Sequence, residues 1–123
     1  MENSKLEISA IMKIPKGKLE EFKQFAAETI RVTHEKDTGT IKFDIFINID
    51  ETESEIRMVY ENLEAFLDHT VHLSETLEKA YTDFPIDHVN IYGQPSPELL
   101  EALKGVDIRV YSFSQGLEEI IKN

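Results

Sequence analysis

The chain has 123 residues, of which 41% are hydrophobic, and 13 Lys and Arg stand against 24 Asp and Glu for a formal net charge of −11. The length is enough for one domain with one core, and the acidity disfavours binding to nucleic acid or to anionic membrane surfaces. There is no cysteine, no apolar run long enough to span a membrane and no secretory pattern at the start, so we expect a cytoplasmic domain without disulfides or thiolate chemistry.

The amino-terminal part predicts a strand followed by a helix. Residues 5–14 alternate apolar and polar side chains, which is typical of a half-buried strand. After Pro15-Lys16-Gly17, residues 18–36 place apolar residues at helical spacing and predict an amphipathic helix. We interpret Asp37-Thr38-Gly39 as the break that ends this helix.

Residues 40–69 form the centre of the predicted fold. Five apolar residues alternate along residues 40–49, so this strand needs a layer to pack against. Four carboxylates in residues 50–55 predict a solvated hairpin loop, and residues 56–61 predict the returning strand. Asn62 is placed to cap a helix whose pattern continues, with a kink after His69, until Pro85 ends it.

The rest of the chain predicts a strand at residues 87–92, a short helix at residues 98–104 capped by Ser96, and a fifth strand at residues 106–114. This order of elements predicts a single α+β domain over residues 1–123. Within it, residues 93–123 form a carboxy-terminal extension. Its Tyr111, Phe113 and Leu117 would otherwise expose apolar surface, so we expect the extension to contact a second copy of the chain.

Two histidines on the predicted central helix offer the best chemistry. His69 and His72 lie three residues apart and therefore share one face of the helix. His69 borders the apolar stripe and can face a cavity, whereas His72 is more easily solvated; simple packing or surface positions are the alternative for both. Tyr60 can direct its hydroxyl into the cavity or to its rim. Two histidines are too few for a metal site. Asp68 and Glu75 could add ligands, but carboxylates are abundant in this chain and no zinc-protease spacing appears, so we expect no metal.

Several stretches resemble the antibiotic biosynthesis monooxygenase family of small dimeric proteins. The first two are Pro15-Lys16-Gly17-Lys18 with Phe22, and Asp37-Thr38-Gly39-Thr40 with Phe43 and Phe46. The most specific is Tyr60-Glu61-Asn62 with Glu64-Ala65 and His69, which is similar to the family pattern Y-x-[DN]-x-E-A-x-x-x-H. Residues 92–99 with Gly116-Leu117 are similar to an extension in a quinol-monooxygenase-like branch. The resemblance thus spans nearly the whole chain.

The resemblance implies a ferredoxin-like fold with a mainly antiparallel sheet that pairs with a second copy into a dimeric α+β barrel. It also implies oxidation of a quinol-like or phenolic aromatic molecule by O2 without flavin, metal or other cofactor. Because a phenol must lose a proton before it passes an electron to oxygen, His69 is the predicted catalytic base, with Tyr60 beside it. The residues predicted to bind the substrate are Asn62, His72, Phe43, Met58 and Phe66.

A different class of function fits the same features. The chain can be a non-enzymatic dimeric barrel that holds a small apolar ligand in the same cavity as a carrier or regulator. Asn62 likewise has a structural alternative as a helix cap. The haem-cleaving branch of the family relies on a tryptophan, and this sequence has none.

Overall fold

The structure is a computed structural model that describes residues 5–118, apart from the side chains of Leu77 and Tyr81. The strands are β1 (Leu6–Lys13), β2 (Thr40–Ile47), β3 (Glu53–Tyr60), β4 (Ile86–Tyr92) and β5 (Ile108–Tyr111). The helices are α1 (Leu19–Lys36), α2 (Leu63–His72), α3 (Ser74–Asp83) and α4 (Pro97–Ala102). Each predicted strand and helix is present, although several bounds differ. Within residues 5–118, every helix is too short or too polar to cross a membrane.

The strands form one sheet in the order β2-β3-β1-β4-β5. β1 pairs antiparallel with both β3 and β4, and β2 pairs antiparallel with β3. β5 joins the edge of the sheet parallel to β4, since the intervening α4 allows the chain to cross over before it returns. The first four strands and their helices follow the ferredoxin-like path, so the predicted α+β class with a mainly antiparallel sheet is confirmed.

One face of the sheet carries the apolar side chains that pack against the helices. The register places Ile8 of β1 opposite Met58 of β3 and Ile91 of β4, so alternate residues of three strands meet on this face. Phe22 of α1 and Phe66 of α2 belong to the same buried cluster. The sheet and the helices therefore bury each other, as the alternation in the sequence predicts.

The opposite face of the sheet is more polar. Asp44 and Arg57 lie on it, together with an exposed Phe46. Asn90 donates a hydrogen bond to Ser9 Oγ over 3.0 Å, and both side chains are buried between the strands. The Oδ1 atom of Asn90 is also buried but has no hydrogen-bond partner in the structure.

The hairpin between β2 and β3 is tighter than predicted. Asn48 Oδ1 accepts hydrogen bonds from the backbone N–H groups of Thr52 and Glu53, at 2.9 and 3.1 Å, which closes the turn and starts β3 at Glu53. β2 accordingly ends at Ile47, and Ile49 is 99% exposed instead of lying on the buried face. A register shift between Thr40 and Lys42 likewise leaves Ile41 exposed.

The predicted caps and the predicted kink are present. Asn62 Oδ1 accepts from the Ala65 N–H at 2.9 Å and Ser96 Oγ from the Leu99 N–H at 3.1 Å, so each caps its helix. Leu73 separates α2 from α3. β5 is shorter than predicted, and the final part of the predicted extension, residues 119–123, lies outside the described residues.

Gly39 brings the connection between α1 and β2 directly against α2. A Cβ atom at this position would lie 2.6 Å from the Ala65 Cβ atom, a separation that packed carbon atoms do not tolerate. The Gly39 carbonyl also accepts a 2.9 Å hydrogen bond from the Glu61 N–H. The close approach places Asp37, two residues earlier, beside the histidines of α2.

Candidate active site

A groove of about 840 Å³ lies between the sheet and the helices. Its walls are mostly apolar, and it runs from α2 to the loop between α4 and β5, where Leu103 and Val106 line it. Pockets for small molecules commonly measure about 300–1,000 Å³, so the groove is large enough for a ligand of several rings. The predicted site residues that line it are Phe43, Met58, Tyr60, Phe66 and His69.

A single buried carboxylate binds both histidines of α2. Asp37 Oδ2 lies 2.7 Å from His69 Nδ1, and Asp37 Oδ1 lies 2.6 Å from His72 Nδ1. Thr40 Oγ1 donates a third hydrogen bond to Oδ2 over 2.6 Å. The side chains of Asp37 and His69 are 4% and 5% exposed, whereas that of His72 is 29% exposed. The unit formed by Asp37, His69 and His72 is therefore shielded from solvent at His69 and reaches solvent at His72.

Local structure explains why these three side chains meet. Asp37 ends α1 with its N–H bound to the Thr33 carbonyl, and its extended backbone turns the chain toward α2. His69 and His72 point the same way because residues three apart on a helix are neighbours on its surface. The contact of Gly39 with Ala65 fixes the distance between the two segments.

The hydrogen bonds determine which histidine nitrogen is free. Burial raises the pKa of Asp37, but hydrogen bonds from Thr40, His72 and His69 outweigh it and hold that pKa below its ordinary value. An ionised carboxylate only accepts hydrogen bonds, so both histidines donate through Nδ1–H. Burial lowers the pKa of His69 despite the opposing effect of Asp37, so its ring is neutral near pH 7. Because His69 lines the groove, Nε2 is the basic nitrogen left for a ligand.

Aromatic rings surround His69. The ring centres of Phe43 and Tyr60 lie 5.2 and 5.4 Å from that of His69, and Phe66 packs edge to face on Tyr60. Tyr60 is fully buried, and its hydroxyl donates to the sulfur of Met58 over 3.1 Å. Phe43, Tyr60 and Phe66 thus give the groove an aromatic lining beside His69.

Two residues predicted to bind the substrate lie outside the groove. Asn62 is exposed and caps α2, and the Nδ1 atom of His72 is bound to Asp37 behind His69. Asp37 itself was not among the predicted site residues, because its position in the sequence indicates only the end of a helix. Among the residues that the structure describes, no group of three His, Asp or Glu side chains is placed to hold a metal ion.

Comparisons with known proteins identify the fold. Neither a family model nor a curated protein sequence matches the chain. Among solved structures, MupZ from Pseudomonas fluorescens is similar with a TM-score of 0.76 and 24% identity over 94% of both chains. Two proteins provisionally named antibiotic biosynthesis monooxygenases, from Bacteroides thetaiotaomicron and Nitrosomonas europaea, have TM-scores of 0.61 and 0.64 at 16% and 17% identity. The chain has the antibiotic biosynthesis monooxygenase fold.

The resemblance inferred from the sequence is thus confirmed at the level of the fold. The two antibiotic biosynthesis monooxygenase structures cover 72% and 79% of this chain, and the matches take in 85% and 96% of their own lengths. The match to MupZ covers more of this chain. The antibiotic biosynthesis monooxygenase fold therefore accounts for most of the chain.

We expect the free energy of unfolding to fall as the pH is lowered. The pKa of His69 is lower in the folded protein, so its contribution is complete above about pH 6.5, the unfolded value, and is lost as the pH falls toward the folded value. Asp37 adds a second loss below about pH 4, because its pKa is also lowered by folding.

Urea unfolding at about pH 7.5 and about pH 5.5 measures the histidine part of this effect. His69→Gln should show a smaller difference between the two pH values than the wild type. The control His34→Gln changes an exposed histidine and should retain the full difference. An equal difference in His69→Gln and the wild type would contradict a lowered pKa at His69.

Proposed function

We propose that this protein is a cofactor-independent monooxygenase that oxidises a phenolic or quinol-type aromatic molecule with O2. The observation that supports this most is His69, whose Nδ1 lies 2.7 Å from Oδ2 of a buried carboxylate and whose ring lines an apolar groove. This arrangement suits a general base that works near neutral pH. Two of the similar structures carry the name of the monooxygenase family.

The proposed reaction needs a base and no external reductant. His69 Nε2 takes the phenolic proton, and the resulting phenolate passes an electron to O2. A carbon–oxygen bond then forms on the ring, the ring C–H proton leaves, and the O–O bond breaks to release water. One oxygen atom becomes a quinone carbonyl and the other becomes water. The substrate supplies all four electrons, so phenol and O2 give quinone and H2O.

The walls of the groove suit an aromatic substrate. Phe43, Met58 and Phe66 offer apolar surface beside His69, and the Tyr60 hydroxyl can donate to the substrate oxygen. The groove continues well beyond these residues toward Leu103, so we propose a substrate with fused rings or an apolar tail. Asn62 and His72 take no direct part in this proposal, since neither lines the groove.

His69→Ala should lower the turnover of an oxidised substrate by about 10²- to 10⁴-fold, the contribution typical of a general base. The measurement is oxygen uptake with a panel of hydroquinones and naphthols, in parallel with circular dichroism to show that the variant folds. His34→Ala removes an exposed histidine and serves as the control, with turnover equal to the wild type.

Turnover of His69→Ala within about twofold of the wild type would exclude the general-base role. Stabilisation of the wild type by the same compounds without oxygen uptake would instead support the alternative function, a barrel that binds an apolar ligand.

We further propose that two copies of the chain form a homodimer to which the extension contributes. Tyr111, Phe113 and Leu117 are all more than half exposed, and the buried Oδ1 of Asn90 on the open sheet face lacks a donor. A second copy can cover this apolar surface and supply that donor. A cytoplasmic location stays a prediction from the sequence.

Light scattering at micromolar concentration should give twice the chain mass of 14.2 kDa. Replacing Tyr111 and Phe113 together with serine should shift the protein toward the monomer, because apolar contact area is lost. Ile49→Ser is the control, since Ile49 is exposed at the distant β2–β3 turn and the dimer should persist. A wild type that is monomeric under these conditions would contradict the proposal.

A further inference from the structure

We propose that Asp37 is a positioning residue for His69, and that His72 completes the unit by holding the second oxygen of the same carboxylate. The inference rests on the proposed function, because it takes His69 as the base. It concerns two residues that do not line the groove and would reach a substrate only through His69.

Three hydrogen bonds hold the Asp37 carboxylate in place. Both oxygens of Asp37 are engaged, Oδ2 by Thr40 and His69 and Oδ1 by His72. A carboxylate bound on both sides cannot rotate freely, so the Nδ1–H group of His69 has one fixed acceptor. The ring of His69 is thereby held with Nε2 as the free nitrogen. Without His72, one oxygen of a buried carboxylate would lose its partner.

Asp37 and His72 also act on His69 through their charges. When His69 accepts a proton it becomes a cation in a mostly apolar groove, and the charge of Asp37 stabilises that cation. His72 shares the same carboxylate, so a positive charge on His72 opposes a second positive charge on His69. Asp37 should therefore strengthen the base and His72 should weaken it.

The groups that face His69 come from each element packed around it. Asp37 approaches from the α1–β2 connection, His72 from α2, the phenol of Tyr60 from β3 and the ring of Phe43 from β2. Among the described residues, the other charged side chains along the groove are Glu78, Asp87, Lys104 and Asp107. Among these groups, the carboxylate of Asp37 is the one hydrogen-bonded to the His69 ring.

A purely structural role is the competing explanation, because the same hydrogen bonds tie the α1–β2 connection to α2. The two explanations differ in what happens to the titration of His69. If the hydrogen bonds are only structural, removing them lowers the melting temperature. If Asp37 and His72 position His69, replacing either one also changes the pKa of His69, downward for Asp37 and upward for His72.

The test is a proton NMR titration of the histidine ring signals in the substrate-free wild type, Asp37→Asn and His72→Phe. The pKa of His69 should fall in Asp37→Asn, which loses the stabilising charge, and rise in His72→Phe, which removes the opposing coulombic effect of His72. Glu35→Gln removes a nearby exposed carboxylate and should leave the titration of His69 unchanged. Once a substrate is identified, Asp37→Asn should lower kcat by about 10²-fold or more with little change in KM.

Shifts in the same direction, or unchanged titration with a lower melting temperature, would overturn the proposal in favour of a structural clamp. If Asp37→Asn does not fold, the test rests on His72→Phe. A pKa of His69 in that variant that equals or lies below the wild-type value would overturn the proposal. The titration needs no substrate. A wild type without oxygen uptake therefore counts against the proposed function and leaves the result on Asp37 and His72 intact.

Discussion

The hydrogen bonds from His69 and His72 to Asp37 connect two parts of the chain that are 32 and 35 residues apart. They depend on the contact between Gly39 and Ala65, because any larger residue at either position would push the α1–β2 connection away from α2. The orientation of His69 follows from its hydrogen bond to Asp37, and its lowered pKa follows mainly from burial. The sheet forms the wall of the groove that faces the helices.

Burying the charge of Asp37 costs several kcal/mol unless it is hydrogen-bonded, and here three donors compensate for that cost. Hydrophobic residues in place of Asp37, His69 and His72 would avoid the free-energy cost of burying a charge, but the groove would then contain no histidine base. The balance between burial and the carboxylate keeps His69 neutral near pH 7 while it can still accept a proton. Such a group is suited to proton abstraction from a weak acid such as a phenol.

Local patterns in the sequence were enough to predict the elements and much of the groove. Alternation indicated the strands, helical spacing indicated α1 and α2, and the position of His69 beside apolar residues indicated that it borders the cavity. Asp37 could not be found this way, because its partners are distant in the sequence and it is one of 24 acidic residues. The tight hairpin was also missed, since it depends on the side chain of Asn48.

The proposed role of His69 depends above all on which of its ring nitrogens carries the proton. Long-range proton–nitrogen correlation NMR distinguishes a protonated from an unprotonated ring nitrogen in the substrate-free protein near neutral pH. We predict a proton on Nδ1, where the ring meets Asp37, and an unprotonated Nε2. A proton on Nε2 would contradict this prediction, because His69 would then have no basic nitrogen in the groove.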